Sequence, residues 1–421
     1  MASDVRATDL IQAAPEDQGM STVRLRRVTD LARRYVDSGR WAGAVSMIAR
    51  GGEVVHFDTI GQRDAEAGLE MRHDTIFRMA SMTKPIASVA LMMLYEEARF
   101  LLDAPVSDFI PSFKDLQVLA GGTADAFTTR APSRAMTIRD LLTHTSGLTG
   151  PGENSVAGQL YARTGKLGAN VDPRSTMADT VATLSTLPLC CDPGAQFNYG
   201  ISTDVVGLLV EVISGQTLAE FFEQRIFEPL RMPDTSFQVA ASKRDRFAAL
   251  YRQASPEGGA DGALRTRDDG SADARYAEGG TYFSGAGGLT STAADYMRFA
   301  KMLANEGELD GERILGSRTL DFMVQNHLPN GAEFGDIVNA PLSTWITKGT
   351  GFGLGFAVLL DPVKAGVLGT EGEYYWNGAF STSFFVSPNE DLIAMLLTQL
   401  GGSTYDIRRE WRSTVYQAIT D

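Results

Sequence analysis

Ser81 and Lys84 stand three residues apart in the stretch Ile76-Phe-Arg-Met-Ala-Ser81-Met-Thr-Lys84-Pro-Ile-Ala-Ser-Val-Ala-Leu-Met, where an extended run gives way to an apolar helix. Residues i and i+3 share a helix face, so the amine can reach the serine hydroxyl. A helix start also offers unpaired N–H groups and the positive end of the dipole, which suits an oxygen gaining negative charge. The pair can therefore be a nucleophile and the amine that takes its proton, provided the site keeps part of that amine neutral. The same two residues also make an ordinary helix start, with serine as a cap and lysine in solvent.

A nucleophilic serine needs a route for the leaving group's proton and donors for the oxyanion. The chain has no Gly-x-Ser-x-Gly elbow, which weighs against an α/β-hydrolase. His144, in Leu141-Leu-Thr-His-Thr-Ser-Gly-Leu, reads as structural, at a helix end running into a glycine turn. Tyr199, in Phe197-Asn-Tyr199-Gly-Ile201-Ser202-Thr-Asp204-Val-Val, stands just before a second apolar helix. A tyrosine near a lysine can take and return a proton, although a packing aromatic has the same appearance. A third segment, Glu373-Tyr-Tyr-Trp376-Asn377-Gly378-Ala-Phe380-Ser-Thr-Ser-Phe-Phe-Val, reads as a strand with a glycine that would let a substrate approach the backbone.

The elements that must position these residues lie at both ends of the chain. Ser21 to Tyr35 has helical periodicity, and Ala42 to Ala49 and Val54 to Gly61 read as strands joined by Arg50-Gly-Gly. The helix after Lys84 runs through Glu97. Near the end, 351–360, 374–386 and 392–399 read as strands, and Tyr405 to Ile419 as a helix. An α+β fold follows: residues 1–98 with 345–421 form one lobe, a central antiparallel sheet flanked by helices, and 99–344 form a mostly helical lobe. The active site is expected between them. Gly258 to Gly280 is glycine-rich and reads as a long loop or flap.

Composition narrows the function. A formal net charge of -14 over 421 residues disfavours duplex DNA and anionic membranes. No run suits a membrane span, and the start carries no apolar leader, so a cytoplasmic location is expected. Adjacent Cys190 and Cys191 read as free thiols, and the four histidines have no metal spacing, so neither metal nor organic cofactor is expected.

Taken in order, the three segments resemble the serine penicillin-recognising (β-lactamase/transpeptidase-like) fold of class C β-lactamases and DD-peptidases, with a closer match to family VIII carboxylesterases. Ser81-Met-Thr-Lys84 matches Ser-x-x-Lys. Tyr199 matches the second-motif tyrosine, with Gly200 and Ile201 departing from Tyr-Ser and Tyr-x-Asn. Trp376-Asn377-Gly378 stands where β-lactamases have Lys-Thr-Gly and the esterases Trp-Gly-Gly. The resemblance extends over Pro15-Glu-Asp-Gln-Gly-Met, Asp103-Ala-Pro-Val, Gly287-Gly-Leu-Thr-Ser and Gly351-Phe-Gly-Leu-Gly-Phe. It implies Ser81 as nucleophile, Lys84 and Tyr199 as the base and acid, the N–H groups of Ser81 and Phe380 as oxyanion donors, and Trp376, Asn377, Gly378 and Ile201 around the substrate. The implied substrate is a short- to medium-chain carboxylic ester, with weak cephalosporin hydrolysis as a side activity. A class C-like β-lactamase, a D-amino-acid or D-peptide ester hydrolase, and a non-enzymatic penicillin-binding-like sensor are the alternatives. Oligomeric state stays open.

Overall fold

In the computed structural model, residues 12–152, 155–168, 171–254, 264–268, 270–338 and 348–421 are described. Eight strands form one antiparallel sheet from both ends of the chain: β1 (Gly43–Arg50), β2 (Glu53–Asp64), β3 (Leu69–Glu70), β4 (Thr350–Phe352), β5 (Ala357–Leu359), β6 (Tyr374–Asn377), β7 (Ser383–Ser387) and β8 (Leu392–Leu397). Their spatial order is β4-β5-β6-β7-β8-β1-β2-β3. β8 joins the two ends, with Leu397 opposite Val45 and Leu392 opposite Arg50. The β1–β2 hairpin turns through Gly51 and Gly52, both at positive φ (58° and 79°), as a two-residue primed turn requires.

The sheet's two faces are covered differently, and strand alternation records it. Phe385 lies against Trp411 and Tyr416 of α5 (Ile407–Tyr416), with ring centroids 5.4 and 5.6 Å away, and α1 (Thr22–Asp37) packs beside α5. Its neighbour Phe384 points the other way, 5.1 Å from Tyr296 of α4 (Ala293–Ala304). α2 (Thr83–Glu96) is buried on every side from Thr83 to Leu94, as its continuous apolar sequence demands of a central helix. Gly355 sits at φ 98°, and a Cβ there would run into Ser88 of α2, so the Gly-Phe-Gly-Leu-Gly run lies directly on that helix.

Three sequence expectations need correction. Segment 351–360 is not one strand but a hairpin of β4 and β5, broken around Gly353, whose Cβ would lie 2.9 Å from the Gln325 carbonyl oxygen. Segment 374–386 is likewise two strands, with a tight connection in which Ser381 takes φ 66°. The glycine-rich 258–280 region is not wholly a loop. Arg265–Arg267 pairs with Tyr251–Gln253, which in turn pairs with Leu400–Gly401, and Ser271–Tyr276 forms a 3-10 helix. Residues 258–263 and 269 of that expectation lie outside the described residues. The middle of the chain also supplies the helix α3 (Ser202–Ser214), packed against α2. No single helix among the described residues is long and apolar enough to cross a membrane.

Candidate active site

The approach to Ser81 is a strand that stops abruptly. Phe77–Arg78 pairs with Thr290–Ser291, and the Met79 N–H donates to the Leu289 carbonyl at 2.9 Å. Ala80 then takes φ 47°, a left-handed conformation unusual outside glycine, costing about 1–2 kcal/mol. The bend sets Ser81 in the 3-10 turn Ala80–Met82 that leads into α2, half-exposed above the helix's unpaired N–H groups. One turn on, Lys84 is only 4% exposed. Its amine donates to Ser81 Oγ at 3.1 Å and to the Ala286 carbonyl at 2.7 Å, so it does not face solvent.

Tyr199 closes over this pair. The Lys84 Nζ lies 4.6 Å from the centroid of its ring, which also contacts His144 (4.8 Å) and Trp376 (5.3 Å). Its loop is tied down on both sides, the Phe197 N–H to the Ile337 carbonyl and the Asn198 N–H to the His144 carbonyl at 2.8 Å. Gly200 follows because a Cβ there would collide with the backbone of Thr149 and Gly150. Ile201 is 3% exposed at the head of α3.

β6 supplies the opposite wall. Trp376 is buried on the Tyr199 side of the sheet, whereas the Asn377 side chain turns to the α5 side, where its Oδ1 accepts from the Ser383 hydroxyl. Strand alternation thus sends only one of the two adjacent residues toward Ser81. Gly378 donates its N–H to the Thr382 carbonyl, and its own carbonyl accepts from Arg408 of α5 at 2.8 Å. Desolvation pushes the Arg408 guanidinium down to about 10. Two residues beyond Gly378, the Phe380 N–H has no acceptor among the described residues.

The structure thus brings Ser81, Lys84, Tyr199, Trp376 and Gly378 together. Two further groups lie beside them: His144, which the sequence reads as structural, and Asp204, for which the sequence offers no role. His144 lies buried against the Tyr199 ring, its Nδ1 without a hydrogen-bond partner among the described residues. Burial, with the Lys84 charge adding to it, holds that imidazole neutral, well below the usual histidine range. Asp204, in the first turn of α3, reads in sequence as a common helix-start acid, yet it is buried beside Lys84, and burial raises its carboxyl.

A beta-lactamase family profile matches residues 28–417, nearly the whole chain. The chain belongs to the beta-lactamase family. The chain is similar to esterase EstB of Burkholderia gladioli, 34% identical over 399 residues and covering 91% of each chain. Protein Rv1367c of Mycobacterium tuberculosis is 34% identical over 370 residues, covering 87% of this chain and 88% of its own. The solved structure of EstCE1, a hydrolase with promiscuous acyltransferase activity, superposes with a TM-score of 0.77 at 27% identity, covering 95% of this chain and 99% of that one. These likenesses support a beta-lactamase-fold serine hydrolase that acts on esters.

Proposed function

We propose that this chain is a family VIII-like serine carboxylesterase, hydrolysing short- to medium-chain carboxylic esters through an acyl-enzyme on Ser81. The observation that carries the reading is the Lys84 amine, buried, 3.1 Å from Ser81 Oγ and 4.6 Å from the centroid of the Tyr199 ring. The Ser81 proton passes to the Lys84/Tyr199 pair as Oγ attacks the ester carbonyl. The N–H groups of Ser81 and Phe380 receive the oxyanion, and Tyr199 returns the proton to the departing alkoxide. Water, activated by the same pair, then releases the carboxylic acid and restores Ser81. In this reading the sheet lobe (1–98 with 345–421) and the middle lobe (99–344) meet at the site.

β-Lactam hydrolysis shares the acylation step and is the second reading. It is placed below ester hydrolysis because Trp376, packed on Tyr199, brings no cation for a lactam carboxylate. Steady-state hydrolysis of p-nitrophenyl acetate, butyrate and octanoate, beside the chromogenic cephalosporin nitrocefin, tests the choice. Ester turnover that disappears in Ser81→Ala, with nitrocefin slow or silent, is expected. Nitrocefin turnover well above ester turnover would reverse the order.

A further inference from the structure

Asp204 is a buried carboxylate beside the amine that none of these steps uses. It is the third residue of α3 and is 4% exposed. Its Oδ1 accepts from the Ser284 hydroxyl at 2.6 Å and from the Ala286 N–H at 3.0 Å. The carbonyl of that same Ala286 accepts the Lys84 amine at 2.7 Å, and the amine reaches Ser81 Oγ. A continuous chain of hydrogen bonds thus runs from the carboxylate, through one peptide turn, to the nucleophile.

The turn between them is tightly enclosed. A Cβ on Gly285 would lie 2.6 Å from the Thr203 carbonyl oxygen of α3 and 3.5 Å from the Ala87 side chain of α2. The backbone is therefore wedged between the helix that carries Asp204 and the helix that carries Lys84.

We propose that Asp204 is the positioning residue for Lys84: it fixes the Ser284–Ala286 turn so that the Ala286 carbonyl aims the amine at Ser81, and its charge stabilises the ammonium formed when Ser81 loses its proton. This rests on the esterase reading. The proton moves from Ser81 Oγ to Lys84 Nζ, and Asp204 neither gains nor loses one. Burial works against the charged form, but Oδ1 accepts from both the Ser284 hydroxyl and the Ala286 N–H, and the Lys84 and Arg275 charges favour the carboxylate in the same sense. The charged and titratable groups that act on Asp204 are Lys84 from α2, Arg275 from the 3-10 helix Ser271–Tyr276, and Tyr282, whose phenol burial and Asp204 both raise. Neutral His144 lies against the Tyr199 ring, which also meets Lys84.

Asp204→Asn keeps the shape and an acceptor oxygen but removes the charge, while Ser284→Ala removes one donor and leaves the charge. Each is compared with wild type by kcat and KM for p-nitrophenyl butyrate across pH. The rate at which a fluorophosphonate labels Ser81 is measured alongside. In Asp204→Asn, kcat and labelling should fall roughly 10- to 100-fold with KM within about twofold. The acidic limb of kcat/KM should move to lower pH, because a negative charge has been removed from beside the reacting groups. Ser284→Ala should lose about three- to tenfold with the limb in place. Wild-type labelling in either variant overturns the proposal, as does an inactive but folded Asp204→Asn with an unmoved limb. Should Asp204→Asn fail to unfold cooperatively, Ser284→Ala decides alone. If the wild type labels at Ser81 yet hydrolyses no ester, the esterase reading falls while the labelling comparison still judges Asp204.

Discussion

Gly378 faces the Met79 carbonyl so closely that a Cβ would lie 2.6 Å from that oxygen, and it would also run into the Thr382 hydroxyl. The end of β6 is thereby held against the chain two residues before Ser81. Gly378→Ala must move one of these two backbones, and the Phe380 N–H moves with the first. With the Phe380 N–H in its proposed role as an oxyanion donor, a loss of about 10²–10³ in kcat is expected, with a smaller change in KM. Steady-state ester kinetics on the purified variant check it.

Lys84→Ala should silence Ser81, with a loss of at least about 10³ in kcat and no labelling by a fluorophosphonate. Tyr199→Phe keeps the ring on Lys84, Trp376 and His144 and removes only the hydroxyl. It should lose about 10²–10³ in kcat with an intact melting temperature, because the packing survives. If Tyr199→Phe retains wild-type turnover, Tyr199 is only a wall.

The parts of this fold that a sequence shows are those with local causes. The Gly51-Gly52 hairpin, the buried α2 and the i, i+3 pairing of Ser81 with Lys84 follow from turn chemistry, apolar periodicity and helix geometry. The break inside 374–386 does not. It depends on Ser381 adopting φ 66°, which a serine does not announce, and on pairing between Tyr374–Asn377 and Ser383–Ser387. Which of Trp376 and Asn377 faces Ser81 also depends on the absolute strand register, since a shift of one residue exchanges them. Asp204 meets Ser284 and Ala286 across 80 and 82 residues of sequence, a contact that no local pattern carries.

Gly200 explains why this chain lacks the serine expected after the second-motif tyrosine. A side chain there would meet the backbone of Thr149 and Gly150. Gly200→Ser should therefore displace the Tyr199 loop and lower kcat by about tenfold or more, although it restores the commoner motif. Kinetics with the p-nitrophenyl esters measure this directly. A gain in activity would show that the 149–150 backbone yields.

Glu373 and Arg412 form an ion pair on the sheet face away from Trp376, where Tyr416 also donates to the carboxylate. Glu373 is fully buried and Arg412 is 7% exposed. Glu373→Leu leaves a buried guanidinium without its partner, and a loss of about 3–5 kcal/mol of stability is expected. Because the pair touches neither Ser81 nor Lys84, kcat per folded enzyme should stay within about twofold. Urea unfolding and active-site-titrated turnover separate the two effects.

Asp295 gives the fold a pH dependence of a sign opposite to that of most carboxylates. Its carboxyl accepts from the Asp234 N–H at 2.7 Å and the Thr235 hydroxyl at 3.0 Å, but burial dominates and pushes it up to about 6. The unfolded chain releases this proton near 3.9, so between the two values the native state binds more protons. The stabilisation is present in full below the unfolded value and is lost as pH rises through 6. From pH 5 to pH 8 the wild type should lose about 1 kcal/mol that Asp295→Asn does not. Unfolding free energies of the two proteins at both pH values measure it, and the difference between them cancels the other titrating groups. An equal change in both proteins would mean that Asp295 is already ionised at pH 5.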